Sequence, residues 1–130
     1  MSAGGRMLAP AGPAAPLAEK LLLLAGCLRP EHPWTTGAGE HPTVDFALLE
    51  EHAHLLDLSE EGVARVALSI ATGRPVDLRS ALGWLSRDHA ELVMTAVAAA
   101  GGHDRPESRI GLVSGERRVE SVPPLARWRS

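Results

Sequence analysis

The sequence predicts an all-α fold, a small bundle of about five helices with a disordered N-terminus and an irregular or β-hairpin C-terminal tail. Apolar residues recur at helical spacing in separate stretches near 17–28, 44–57, 60–72, 78–85 and 87–100. Capping residues and glycines stand at the boundaries of these stretches. After Gly102 apolar residues are few and the helical pattern is not sustained. A chain of 130 residues holds one domain. Its expected divisions are 1–15, disordered; 16–102, the helical domain; and 103–130, a basic tail.

Residues 1–15 are small, rich in Pro and Gly and without periodicity, which is the composition of a disordered segment. Pro16 suits a first helical turn. Leu17, Leu21, Leu24 and Leu28 then recur at i, i+4, i+7 and i+11, and Pro30 ends the stripe. The stretch is too short and too charged to span a membrane. Leu24-Ala25-Gly26-Cys27 matches a lipoprotein signal box, but Glu19 interrupts the apolar run that a signal peptide needs. The plain leucine-rich helix is therefore the expected reading.

Residues 29–43 hold three Pro and two Gly and are expected to form a loop, with Trp34 packing back onto the domain. Thr43 is expected to cap the helix that follows, in which Phe46, Leu49, Ala53 and Leu56 form the apolar stripe. Ser59 is expected to begin the next helix, with Glu60 and Glu61 complementing its dipole and Gly73 ending it. Asp77 caps a brief helix that Gly83 weakens. Trp84 is either a core anchor or part of an exposed apolar patch.

The stretch Ser86–Ala100 is the expected central helix. Ser86 is its cap, and Asp88 and Glu91 lie near its positive end. Leu92, Val93, Ala96, Val97 and Ala100 lie on its apolar face, and Gly101 is its left-handed stop. In the tail, Ile110–Val113 and Arg117–Val122 can pair about Ser114-Gly115, or the segment is irregular.

Charge is unevenly spread. Residues 44–101 carry four Arg against nine Asp and Glu, net −5, and residues 102–130 carry six Arg against four acids, net +2. An acidic body repels phosphate, which makes a protein rather than a nucleic acid the expected partner. Twelve of the thirteen basic residues are Arg, a bias typical of GC-rich bacterial genomes. A single cysteine, Cys27, excludes an intrachain disulfide and a multi-cysteine metal site.

The chain lacks the phosphate-loop, dinucleotide, zinc-protease and nucleophile-elbow motifs. Glu-His-Pro occurs at 31–33 and 40–42, and Glu51 and His54 form Glu-x-x-His, but neither pattern supplies a full ligand set. His89 opens the central helix without a nucleophile or second base placed beside it by the sequence. No catalytic residue, metal or cofactor is therefore expected.

The expected function is a non-enzymatic, cytoplasmic regulatory or adaptor protein acting through protein–protein contacts. Two sites are candidates: the tail residues Leu125, Arg127, Trp128 and Arg129, since Trp and Arg dominate interfaces, and Trp84 as an exposed apolar anchor. The first helix, 17–28, hangs on a long loop and could pack in trans to form a homodimer. The alternative is a DNA-binding regulator with a degenerate helix-turn-helix at 60–85, whose reading helix offers only Arg79 and Ser80.

Overall fold

The computed structural model describes residues 14–37 and 41–128. In chain order it contains α1 (Ala15–Leu24), β1 (Thr35–Thr36), β2 (Thr43–Val44), α2 (Phe46–His52), a 3-10 turn (Ala53–Leu55), α3 (Leu58–Thr72), α4 (Leu78–Leu82), α5 (Arg87–Ala100), β3 (Glu107–Val113) and β4 (Glu116–Val122). The strands form two separate two-stranded antiparallel sheets. The all-α expectation is thus corrected: the fold is mixed, a helical body with two small β-ribbons. Nearly all of the stretch expected to be disordered, residues 1–13, lies outside the described residues, and Ala15 already belongs to α1.

The center of the body is α3, not α5 as the periodicity suggested. Gly62, Val63, Ala64, Val66, Ala67, Leu68 and Ala71 of α3 are buried, and the helix packs against α1, α2, α4 and α5. In α5, Val93, Thr95, Ala96 and Ala98 are buried, but Met94 and Val97 face outward. Thr95 is tolerated inside because its hydroxyl donates to the Glu91 carbonyl at 2.9 Å. Helix α1 contributes Ala18, Leu21 and Leu22 to the core of its own chain, so the expected trans packing of this helix is not what the structure shows.

The helix boundaries follow local chemistry that differs from the expected caps. Asp45, not Thr43, caps α2 by accepting the Leu48 amide at 3.1 Å, because Thr43 is taken up in β2. Asp57, not Ser59, caps α3 by accepting the Glu60 amide at 2.8 Å. That bond holds the Asp57 carboxyl below the usual carboxylate range. Ser86 caps α5 as expected, accepting the His89 amide at 3.2 Å. The left-handed stop of α5 is Gly102 (φ 84°), one residue later than expected, with the His103 amide closing on the Ala98 carbonyl at 2.8 Å.

Helix α1 stops four residues before Leu28. Gly26 takes a left-handed conformation (φ 80°), and the Cys27 amide bonds to the Leu22 carbonyl at 2.9 Å. Leu24-Ala25-Gly26-Cys27 is therefore a helix stop. The expected loop at 29–43 is corrected in its described residues, which include the short strand β1 and the start of β2. Trp34 is buried, as expected, and its indole N–H donates to the Cys27 carbonyl at 2.8 Å. His32 stacks on that indole at 4.4 Å between ring centroids. Strands β1 and β2 then pair Thr35 with Val44 and Thr36 with Thr43, and Glu19 of α1 accepts the Val44 amide at 3.1 Å.

The tail forms the hairpin about Ser114-Gly115. Both turn residues have positive φ (52° and 81°), as a two-residue type I′ turn requires, and every residue of β3 pairs with β4 from Glu107–Val122 to Val113–Glu116. The chain then returns to the body, where Trp128 packs against the core.

One close approach sets the position of α4. A Cβ on Gly62 would collide with the Ala81 carbonyl oxygen and touch the Leu85 side chain. Alanine in an open helix is worth about 0.5–1 kcal/mol more than glycine. Here the sign reverses, because backbone cannot yield as a side-chain tip can. Gly62→Ala is expected to lower the unfolding free energy by about 1–3 kcal/mol in urea titration. An unchanged or raised midpoint would show that α3 and α4 do not meet this closely.

Candidate functional site

The residues that shape the surface lie where α3 meets α2 and α4. The 3-10 turn redirects the chain between α2 and α3. Gly73 (φ 77°) then reverses it after α3, and Pro75 keeps the connection extended. Asp77 caps α4 by accepting the Ser80 amide at 3.2 Å and the Ser80 hydroxyl at 2.9 Å, which lowers its carboxyl pKa. The result is an open groove of about 390 Å³ along α3. Its apolar lining comes from Leu58, Leu68, Pro75, Val76, Ala81 and Trp84.

The groove's charged groups are mostly paired. Arg74 bridges to Glu50 of α2 at 2.6 Å, and Arg65 bonds Glu61 one turn earlier at 2.6 Å. Asp77 is the remaining acid, so the lining has a small negative balance. Trp84 projects at the groove edge with 67% of its surface exposed. Leu78 and Leu82, on α4, are also exposed and add to the apolar surface of this region.

A second cluster joins three helix ends. The Ser59 hydroxyl lies 2.6 Å from His89 Nδ1, and His89 Nε2 lies 3.0 Å from the Ala25 carbonyl. A carbonyl only accepts, so Nε2 carries the proton and Nδ1 accepts from Ser59. Ser59 Oγ in turn accepts the Ser86 amide at 2.8 Å. A serine–histidine contact of this length is the geometry of an activated nucleophile. Here, however, both histidine nitrogens and the serine oxygen are already engaged within the fold. Neither residue lines the groove. The cluster works as a clasp from α1 to the starts of α3 and α5.

The tail candidates are dispersed. Leu125 and Arg127 are exposed. Trp128 is half-buried against the core, with Lys20 Nζ 4.8 Å from its ring centroid, a cation–π contact within the chain. Arg129 lies outside the described residues. The Trp128 ring is thus held by α1, while Trp84 is free.

The other sequence candidates find structural roles or remain apart. His32 Nδ1 reaches the Cys27 carbonyl at 3.0 Å, which closes the loop, while His41 is exposed. Glu40, in the second Glu-His-Pro, lies outside the described residues. Among the described residues no group of three or more His, Cys, Asp or Glu is placed to hold a metal. Arg79 and Ser80 are exposed, but α4 spans only five residues, little more than one turn, which is short for a helix that must lie in a DNA groove. No helix among the described residues is long and apolar enough to cross a membrane.

The chain matches no protein-family model, no curated protein and no solved structure at a significant level.

Two outcomes follow from this geometry. Ser59→Ala leaves the Ser86 amide and His89 Nδ1 without their partner and should cost about 1–2 kcal/mol of stability in urea. A cost near zero would mean that water replaces the hydroxyl freely. Cys27 is fully buried, and burial, aided by Glu60, pushes its thiol up to about 12 from 9.0. The folded chain therefore holds the thiol proton more tightly than the unfolded chain. That contribution is intact below pH 9 and is lost as pH rises toward 12. Ellman's reagent at pH 8 should label Cys27 slowly in the native protein and rapidly in urea. Equal rates would show an open thiol.

Proposed function

We propose that this protein is a non-enzymatic interaction module. Its groove between α2, α3 and α4 takes an apolar-anchored segment of a partner protein, with Trp84 as the principal contact. The observation that carries this reading is the exposure of Trp84 beside an apolar groove floor. A tryptophan left in water at the edge of a concave apolar surface is the residue type and setting in which binding energy concentrates.

The paired charges at the groove support the same reading. Free cations would favour phosphate, but Arg74 and Arg65 are both neutralised by carboxylates. The acidic body adds to that preference for a protein ligand. The tail becomes a secondary element in this reading, because Trp128 must leave Lys20 before it can serve a partner. A cytoplasmic, regulatory setting completes the proposal.

Capture from lysate of the source organism, using tagged full-length chain and nuclease treatment, tests it. A stoichiometric protein that survives nuclease and is lost with Trp84→Ser is the expected result. Retention of the same protein by Trp84→Ser would reject the groove. Recovery of nucleic acid in place of a protein would reject the whole reading.

A further inference from the structure

The β3–β4 hairpin carries a free edge whose features fit one occupant. In a hairpin closed by a two-residue turn, the flanking residues Val113 and Glu116 form a hydrogen-bonded pair, and the pattern alternates from there. Glu116, Arg118, Glu120 and Val122 therefore direct their main-chain groups at β3. Arg117, Val119 and Ser121 direct theirs away from it. Among the described residues these outward groups make no backbone bond to another element. Within β4 there is no proline or bulge to blunt the edge, while Pro123 and Pro124 stop it at a fixed length.

One side of the hairpin carries an exposed apolar row, flanked on the same side by Arg117 opposite Leu112 and by the Ser108–Ser121 pair. Ile110 and Val119 sit directly opposite each other, Leu112 follows on the same side, and all three are more than two-thirds exposed at 71%, 74% and 74%. The other side is charged, with Arg109 facing Glu120 across the ribbon at 3.6 Å.

We infer that β4 pairs antiparallel with β4 of a second copy, about a two-fold axis at Val119. This register uses the outward groups of Arg117, Val119 and Ser121 on both chains, giving about six main-chain hydrogen bonds. It places Arg118 directly opposite Glu120 of the second copy, twice, at the non-hydrogen-bonded positions where side chains stand closest. The charged side then reads Arg109, Glu120, Arg118 across the junction, alternating in sign. The apolar side reads Ile110, Val119, Val119, Ile110 as a continuous strip. The β3 edge has no such complementarity, since two-fold pairing about Ile110 sets Arg109 against Gly111. A two-fold pairing is closed and uses up the β4 edge, so it ends at two copies. It shares no residue with the Trp84 groove and stands independently of the function proposed there.

Charge exchange tests the register. Size-exclusion chromatography with light scattering on the full chain should give twice 13.7 kDa for the wild type. Arg118→Glu and Glu120→Arg, each alone, set like charges opposite each other and should give the monomer mass. The double exchange, Arg118→Glu with Glu120→Arg, should restore the dimer. Circular dichroism checks that each variant keeps its helices. Val119→Cys supplies a measurement that does not depend on the charge variants. It should form an oxidised dimer through position 119, while Leu112→Cys should not. A wild-type mass of 13.7 kDa at every concentration would overturn the inference, as would a dimer that survives Arg118→Glu or fails to cross-link through position 119.

Discussion

A helix covered on nearly every side must have its polar ends satisfied by protein, and this constraint organises the molecule. Helix α3 is that element: it packs against four other helices and leaves only its groove side open. Its first turn lies beside the end of α1 and the start of α5, where free amides and carbonyls would meet in a partly dry place. One serine and one histidine resolve the problem. Ser59 accepts from the α5 cap and donates to His89, which donates to the end of α1. One turn further along α3, the same crowding demands Gly62, since only a residue without Cβ lets the α4 backbone pass. The clasp and the glycine together fix the directions in which α1, α4 and α5 leave α3, and hence where a groove can open.

Much of the body was legible because helical periodicity is a local signal. The α3 and α5 stretches follow from spacing, the Ser86 cap and the Gly73 stop from local residue type, and the brevity of α4 from Gly83. Ser114-Gly115 left the tail open between a hairpin and an irregular segment, because only Gly115 takes positive φ without cost; the structure forms the hairpin with Ser114 at positive φ as well. The misreadings have a common cause. Thr43 and Asp45 both qualify as caps, as do Asp57 and Ser59, and local sequence does not rank them. Tertiary contacts do: Thr43 is claimed by Thr36 in a strand pair, and Ser59 is claimed by His89. The two-residue strands β1 and β2 leave no periodic trace at all. Choosing α5 over α3 as the centre followed from weighting apolar content, whereas Gly62 within α3 was the sign of close packing that could have reversed the choice.

The site was less legible than the fold. The sequence left Trp84 open between core anchor and exposed patch, and that ambiguity is physical. Gly83 and Leu85 flank it, and only the path of α4 past Gly62 decides which way the indole points. The groove itself has no sequence signature, because Glu50, Arg74 and Trp84 come from separate segments. Cys27 shows the reverse case, a four-residue match that Glu19 already weakens and that has a structural role in the fold. Leu-Ala-Gly-Cys reads as a processing signal in isolation. In the fold, Gly26 supplies the left-handed stop and Cys27 fills the core, so cleavage there would remove α1 with Leu21 and Leu22 and uncover α3. Deleting two buried leucines forfeits about 3–6 kcal/mol at the usual worth of a buried aliphatic side chain, a large part of the stability of a small domain.

The charged rim also bears on how the groove can select what it binds. Exposed ion pairs such as Arg74–Glu50 are worth about 0–1 kcal/mol, so the pair can open at little cost. A ligand carboxylate could then take the place of Glu50 on Arg74, and a ligand cation could take Glu50. In the proposed reading the rim would contribute register more than affinity, and affinity would rest on apolar contact with Trp84 and the α3 floor. Such a groove would bind with weak dependence on salt, in contrast to a phosphate-binding surface, whose affinity falls steeply as salt rises. The exposed tryptophan and the neutralised arginines thus fit the proposed reading, in which a ligand would be distinguished by shape and apolar anchors and aligned by charge.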